Sequence, residues 1–280
     1  VPFEVAMEVG SLRREAEDGF KAGLDIKEVA ERLTAKYPLD SETLSYALKE
    51  VREHVDMGVP VPTDRRITIE RWREYVIIQA CFGHQVNRTL SRVLAYLLSQ
   101  RLGVAVGAQQ DPYRILLNTP LASPEEVRSL MVRLASSEDF ESLVREAAIR
   151  SGAFKRRFLH VAQKFGAIAK GVDISGASLD RLIEGFRGSA VFEEAVRTTL
   201  REDADLDRSM EALRRIDSGE IEVVVVGGLE EATPLARLGL EELRWRSDLL
   251  PPDRMRRVVV ESAKARLMSE GLTAVCTDCW

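Results

Sequence analysis

The sequence has 280 residues, of which 45% are hydrophobic and 30% are charged, a composition typical of a soluble globular protein. Residues 1–62 carry 13 acidic and 8 basic residues, which accounts for the whole formal net charge of −5. This balance excludes a nucleic-acid binder that is basic throughout, but it allows a local basic surface. Because no run of 18 apolar residues is present and only three cysteines occur, we expect a cytoplasmic protein without a membrane span or a disulfide framework.

The first 122 residues divide into an acidic helical segment, 1–62, and a sheet-forming segment, 63–122. Apolar residues at helical spacing predict three helices within the first segment. The second segment contains an amphipathic pattern that predicts a helix over 86–102, which we expect to pack across a sheet. Its predicted strands lie near residues 66–71, 75–81, 104–108 and 113–118, with a turn at Arg73-Glu74.

A helical region follows over 123–270, interrupted by one predicted strand at 221–226. Because this strand contains four consecutive valines, we expect it to be an inner strand of the earlier sheet. The last segment, 271–280, reads as the start of a truncated tail that is similar to a zinc ribbon. Together these patterns predict an α+β fold that is mainly helical, with one small mixed β-sheet packed by helices.

Sequence motifs of common enzymes are absent. The chain has no G-x-x-x-x-G-K-[ST] phosphate loop, no acidic pair following an apolar strand as in ATPases, and no G-x-S-x-G nucleophile elbow. Its three histidines do not form an H-x-x-x-H zinc pattern. We therefore predict no catalytic residues and no bound cofactor, although distant residues can also build an active site.

A first candidate binding surface comes from Arg156, His160 and Lys164, whose spacing places them on one face of a helix, with Arg157 beside them. The stretch 147–172 contains six lysines and arginines and no acid, so phosphates would meet no local repulsion. The alternative is an ordinary solvated helix face whose ionic partners are acids elsewhere in the fold.

A second candidate surface lies where the strand near 75–81 meets the next helix. Asn87, Arg88 and Arg92 follow this junction, and the first amides of a helix suit an anion. The alternative is a strand–helix junction with a polar cap.

Two further groups of residues are less specific. Cys276 and Cys279 supply two of the four ligands of a structural zinc site, so they form half a site, an inert pair or a pair bridging two molecules. Trp72, Tyr75 and Tyr113 stand near strand positions, where aromatic rings either stack on bases or pack in the core.

Several segments together resemble the DEAD/H-associated region of Lhr-type superfamily 2 helicases, which are known from archaea and bacteria. The resemblance covers nearly the whole chain in order. The segments are residues 1–10, YVII from 75, FGHQVNRTL from 82, DPYRIL from 111, GAFKRRFLHVAQKFG from 152, PLARLGLEEL from 234 and VCTDCW from 275.

The resemblance implies a role in a larger enzyme. Intact relatives are ATP- and magnesium-dependent 3′-to-5′ translocases that act in DNA repair, recombination or RNA handling. In them a motor and a winged helix precede this region, which completes the tunnel around the tracking strand. The present sequence lacks the motor motifs and ends after the first cysteine pair, so we expect neither autonomous helicase activity nor an intact zinc site.

The sequence thus favours a nucleic-acid-binding accessory domain that guides or separates strands. Its expected partners are single-stranded DNA or RNA, duplex junctions, and the motor and winged-helix domains of the parent chain. One alternative is a structural docking module that braces the motor or recruits a partner, because the acidic first segment suits a basic surface. An independent enzyme on the same scaffold is a third interpretation.

Overall fold

The computed structural model describes residues 1–169 and 177–244. Over these residues the chain alternates between helices and one sheet. The helices are α1 (Phe3–Lys21), α2 (Ile26–Thr34), α3 (Ser41–Ala47), α4 (Lys49–Asp56), α5 (Gly83–Leu102), α6 (Pro124–Ala135), α7 (Phe140–Ile149), α8 (Gly152–Lys164), α9 (Ala177–Gly185), α10 (Ala190–Asp203), α11 (Leu206–Asp217) and α12 (Pro234–Arg244). The strands are β1 (Arg66–Trp72), β2 (Tyr75–Gln79), β3 (Gly107–Asp111), β4 (Arg114–Asn118) and β5 (Glu222–Val226).

The five strands form one mixed sheet in the order β3-β4-β2-β1-β5, which confirms the predicted fold class. Strands β1 to β4 pair antiparallel, and β1 and β2 are joined by the predicted turn at Arg73-Glu74. Strand β5 pairs parallel to β1 and lies at an edge, so its prediction as an inner strand is wrong. A run of valines reports burial of side chains on the two faces of a sheet, but not which backbone edge is paired. At the outer edge of β5, the Arg128 guanidinium donates a hydrogen bond to the Val223 carbonyl.

Element boundaries differ from the predictions in two places. The acidic segment contains four helices instead of three, because the third predicted helix is interrupted at Leu48 between α3 and α4. Strand β3 lies at Gly107–Asp111 instead of 104–108. Gly103 ends α5 in the left-handed conformation, and the more apolar residues after it form the connection, while the polar sequence GAQQD pairs at the edge of the sheet.

The main core lies between α5 and one face of the sheet, as predicted. Apolar side chains of α5 pack there against side chains from β1, β2 and β4. The α5 residues are Val86, Leu90, Val93, Leu94 and Leu98, and the strand residues are Ile67, Ile69, Val76, Ile78, Ile115 and Leu117. A second core cluster joins α8, α9 and α10 around Phe154, Phe158 and Phe192. This cluster fixes which face of α8 is buried.

The opposite face of the sheet is covered by α12 and contains a buried carboxylate. Glu70 is 2% exposed and accepts hydrogen bonds from the backbone N–H and the hydroxyl of Thr233, just before α12 begins. Burial raises the pKa of Glu70, against the opposite effect of these two hydrogen bonds. The pair anchors the start of α12 to the sheet.

Among the described helices, none combines the length and the apolar character that crossing a membrane requires. The predicted helical residues beyond 244 and the segment 271–280, with Cys276 and Cys279, lie outside the described residues.

Candidate nucleic-acid interface

Helix α8 presents three of the predicted binding residues to solvent. The helix begins after Ser151, whose hydroxyl accepts a hydrogen bond from the Phe154 amide. Its apolar face is buried in the second core cluster, while Arg156, His160 and Lys164 are exposed on successive turns. Arg156 forms no ion pair with a described residue. These three side chains form what we call the α8 stripe.

Arg157 has a different environment from its neighbours. Its side chain is 20% exposed and forms ion pairs with Glu202 at 2.7 Å and with Asp203 at 3.3 Å. One of its guanidinium nitrogens also donates to the Thr198 carbonyl. Arg157 therefore ties α8 to α10, and its charge is already matched within the fold.

The start of α5 is closed to an anion, contrary to the prediction. The Gly83 amide donates to the Pro112 carbonyl at 2.9 Å, and the His84 amide donates to the Val1 carbonyl at 3.0 Å. Gly83 has a φ of +81°, and a side chain there would meet the backbone of Val1 and Pro2 at 2.9 Å. The first residues of the chain thus occupy the position that a phosphate would take.

Asn87 is also unavailable to a ligand. It is fully buried, and its amide nitrogen donates to the carbonyls of Ala80 and Asp111, each at 3.0 Å. Its burial therefore gives no support to its prediction as a binding residue. The side chain instead fixes α5 to Ala80, the residue after β2, and to Asp111, the last residue of β3.

Arg88 and Arg92 point toward α10, where they share one carboxylate. Arg88 lies 3.1 Å and Arg92 3.5 Å from Asp203, the last residue of α10. The same carboxylate is the partner of Arg157 at 3.3 Å. Burial lowers the pKa of Arg92, with Asp203 acting in the opposite direction. Three guanidinium groups therefore converge on Asp203, and even with Glu202 as a second partner of Arg157 these five side chains keep a net charge of +1.

The two predicted constellations meet in one cleft of about 800 Å³ between α5, β3 and the start of α8. We call it the arginine cleft. Its charged lining consists of Arg88, Arg92, Arg150, Arg156 and Asp203. With four cations and one carboxylate, these side chains carry a net charge of +3, in a chain whose total is −5. The α8 stripe leads outward from this cleft.

Sequence reasoning missed Arg150, Tyr96 and Asp203. The Arg150 guanidinium lies over the ring of Tyr96, 5.2 Å from its centre, and both residues line the cleft. Arg150 was visible only as one member of the acid-free stretch. Tyr96 stands among core positions of α5, and Asp203 lies 115 residues from Arg88 along the chain, so no local signal marks either of them.

The start of α8 adds further donors to the cleft. Gly152 and Ala153 line it, and the first amides of a helix have no acceptor within the helix. These amides stand at the positive end of the helix dipole, which favours an anion.

The aromatic residues near the strands are placed apart from this cleft. Trp72 and Tyr75 stack at the β1–β2 turn with ring centres 6.0 Å apart, and Trp72 also packs beside the apolar cluster under α12. Tyr113 is half-buried beneath the Arg13 guanidinium. All three residues are partly buried, and Trp72 packs against a core cluster.

The described residues contain no group of three or more His, Cys, Asp or Glu that could hold a metal ion. Because Cys276 and Cys279 lie outside these residues, their zinc site stays a prediction.

Comparison with protein families gives a match over most of the chain. The family described as "DEAD/H associated" matches residues 61–236. The ATP-dependent helicase Lhr-Core of Saccharolobus solfataricus is 26% identical over 253 residues, covering 84% of this chain and 29% of that protein. Its counterpart from Sulfolobus acidocaldarius is 23% identical over 250 residues, covering 84% and 28%. The chain thus spans less than a third of these relatives.

A solved structure shares the fold. The Mycobacterium smegmatis helicase Lhr, solved bound to ssDNA and AMP-PNP, superimposes with a TM-score of 0.66 at 20% identity. The match covers 86% of this chain and 32% of the mycobacterial chain.

Proposed function

The chain belongs to the DEAD/H-associated family of Lhr-type helicases, and from this premise we propose that it is the accessory domain by which such a helicase holds or separates nucleic-acid strands. In this proposal the arginine cleft and the α8 stripe contact the phosphate backbone. The motor and winged-helix domains of the parent chain are its other partners. ATP and Mg²⁺ bind to that motor and not to this domain.

The observation that carries the proposal is the surplus of cations in the cleft. Asp203 is shared by Arg88, Arg92 and Arg157, and neither Arg150 nor Arg156 has an ion-pair partner among the described residues. Arginines that are left without carboxylates attract phosphates, and counterion release from the strand makes such binding depend on salt. Because the α8 stripe continues from Arg156 through the exposed His160 to Lys164, a backbone can be followed beyond the cleft.

The proposal also covers the ligand of the domain and the cellular role of the parent enzyme. A relative of the same fold was solved bound to ssDNA, which supports a single strand of DNA or RNA, or a duplex junction, as the ligand here. We place the parent in the cytoplasm, where it serves DNA repair, recombination or RNA handling.

A docking module is the second candidate, and the acidic helices α1 to α4 favour it. This segment exposes apolar side chains next to its surplus of carboxylates, with Leu39, Tyr46 and Met57 at 46%, 73% and 48% exposure. Exposed apolar groups with a charged rim suit a protein partner. This surface and the arginine cleft are formed by different elements, so one domain can serve both roles.

The two candidates are separated by reversing charge on the α8 stripe. The affinity of the chain for a fluorescein-labelled single strand is measured by anisotropy, beside the variant Arg156→Glu/Lys164→Glu. We expect the double variant to lose at least about tenfold in affinity. Arg133→Glu is the matched control, because Arg133 is an exposed arginine of α6 that does not line the cleft. Equal affinities of the three proteins contradict the assigned surface and favour the docking module.

A further inference from the structure

The wall of the arginine cleft has a charged part and an apolar part. Four arginines belong to the charged part, and the apolar part consists of small and aromatic side chains from α5, from the segment leading into β3 and from β3 itself. The apolar members are Ala95, Tyr96, Ala105, Val106 and Ala108. Its volume of about 800 Å³ lies within the range of roughly 300–1,000 Å³ that is typical of small-molecule pockets. A phosphate backbone alone needs neither the depth nor the apolar wall.

We infer that the arginine cleft receives one unstacked nucleotide of a single strand, with its phosphate at Arg156 and the start of α8 and its base on the Tyr96–Arg150 pair. This inference rests on the proposed function, that the domain binds nucleic acid. It adds that the bases, and not only the backbone, contribute to the affinity.

The phosphate position follows from the geometry around Gly152. A Cβ added to Gly152 would lie 3.7 Å from a terminal nitrogen of Arg156, so the guanidinium stands directly beside the first turn of α8. Glycine leaves this space open, and Gly152 and Ala153 both line the cleft. A phosphate there would receive backbone donors, a guanidinium and the positive end of the helix dipole together.

The base position follows from the packing of Arg150 on Tyr96. Its guanidinium carbon lies 5.2 Å from the centre of the Tyr96 ring, and the Arg150 residue is exposed. A guanidinium held against a ring presents a second flat face, on which a nucleobase can stack. The amide of Gln110 on β3 lines the same cleft and offers a donor and an acceptor to the edge of that base.

A duplex cannot use this site without losing a base pair. Its bases are stacked and paired inside the helix, and extrusion of one of them is unfavourable, whereas a single strand already offers unpaired bases. The cleft therefore selects single strands, which suits a domain that follows strand separation.

The test compares two oligomers of equal length and equal phosphate number, one of thymidines and one of abasic sugars. We expect the chain to bind the thymidine oligomer at least about tenfold more tightly. Tyr96→Leu and Arg150→Lys should each bring this ratio close to one. Arg150→Lys retains the positive charge at an exposed position and removes the flat face of the guanidinium. It therefore tests the base pocket even if Tyr96→Leu disturbs the core. Tyr46→Leu, at an exposed tyrosine of α3, is the control that keeps the ratio.

The outcomes distinguish failure of the proposed function from failure of the base pocket. Failure of the wild-type chain to bind either oligomer contradicts both the proposed function and this inference. Equal binding of the two oligomers, with a loss in Arg156→Glu, leaves backbone contact in place and overturns the base pocket. A ratio that survives both Tyr96→Leu and Arg150→Lys also overturns it.

Discussion

Two arginine-containing regions of this molecule differ in their supply of carboxylates. Between α1 and β1, Arg14 and Arg66 are surrounded by Glu17, Asp64 and Glu222, a set that we call the paired cluster. Arg14 lies 2.8 Å from Asp64, and one nitrogen of Arg66 contacts both oxygens of Glu17, at 2.9 and 3.0 Å. Because carboxylates outnumber arginines here, the paired cluster offers nothing to an anion.

The arginine cleft has the opposite ratio, with four arginines and one carboxylate. The two regions would look alike in a list of basic residues along the sequence. An arginine is therefore a candidate ligand for phosphate only where its partners in the fold leave its charge uncompensated. Mutations in the paired cluster should therefore change the free energy of unfolding, whereas mutations in the cleft should change the affinity for nucleic acid.

The largest effect is expected in the paired cluster from Arg66→Met. This change leaves Glu17, whose side chain is 3% exposed, with Lys21 as its remaining ion-pair partner. A buried charge that loses one of two partners keeps part of its compensation, so we expect the free energy of unfolding to fall by about 3 kcal/mol, the lower end of the range for a broken buried pair. Urea denaturation measures the loss, and the affinity for a single strand should stay unchanged once the variant is folded. A loss of affinity equal to that of a cleft variant would contradict the separation of the two regions.

Acid should weaken the region that contains the paired cluster through His54. This side chain of α4 is fully buried, and burial lowers its pKa from 6.5 to about 4 because the charged imidazolium is desolvated. The folded state therefore favours the neutral ring. Above pH 6.5 the ring is neutral in both states, and the stability of the fold is complete with respect to His54. As the pH falls from 6.5 toward 4, the unfolded chain takes up a proton that the folded chain does not, so the free energy of unfolding decreases. We expect about 2 kcal/mol less stability at pH 5 than at pH 6.5.

The control for this prediction is His54→Gln, which has no charge to gain. Urea denaturation at several pH values should show a smaller slope for the variant over this interval. Identical slopes for the two proteins would contradict the assignment to His54.

A smaller effect is expected from Asp203→Asn, which removes the carboxylate shared by three arginines. The variant should lose about 1–2 kcal/mol of stability at low ionic strength, because like charges then face one another. Added inorganic phosphate should raise its melting temperature more than that of the wild type, since the anion replaces the lost charge. Asp64→Asn in the paired cluster is the matched control, and an equal response of both variants to phosphate would contradict the cleft as an anion site.

The smallest effect on stability is expected from Arg156→Met in the cleft. Arg156 is exposed and has no ion pair with a described residue, so the free energy of unfolding should change by no more than about 0.5 kcal/mol. The affinity for a single strand should nevertheless fall. A stability loss as large as that of Arg66→Met would show that Arg156 is structural.

Periodicity was sufficient to predict the mixed sheet and the packing of α5, since both depend on local patterns of apolar residues. It failed for β5, because side-chain burial does not report which backbone edge is paired. The candidate site is harder to predict from the sequence than the fold. Arg88 and Arg156 belong to two separate sequence motifs, and their meeting in one cleft depends on how α8 packs against α10.

Two misassignments have a similar cause. Asn87 looks like a polar donor at a helix start, yet its partners are the carbonyls of Ala80 and Asp111, which only the fold brings to it. The α5 amides look free, yet Val1 and Pro112 cover them from distant parts of the chain. Polar residues and helix termini in a sequence indicate a capacity for hydrogen bonding, and long-range packing decides whether it is already used.

The most direct test of the account is the salt dependence of single-strand binding. The logarithm of the association constant is measured against the logarithm of the salt concentration for the chain, for Arg156→Met in the cleft and for Arg14→Met in the paired cluster. Each phosphate contact on a single strand contributes about −0.7 to the slope, so the cleft variant should lose about 0.7 of it. The Arg14 variant should keep the wild-type slope. Equal slopes for all three proteins would contradict the claim that the surplus arginines of the cleft hold the strand.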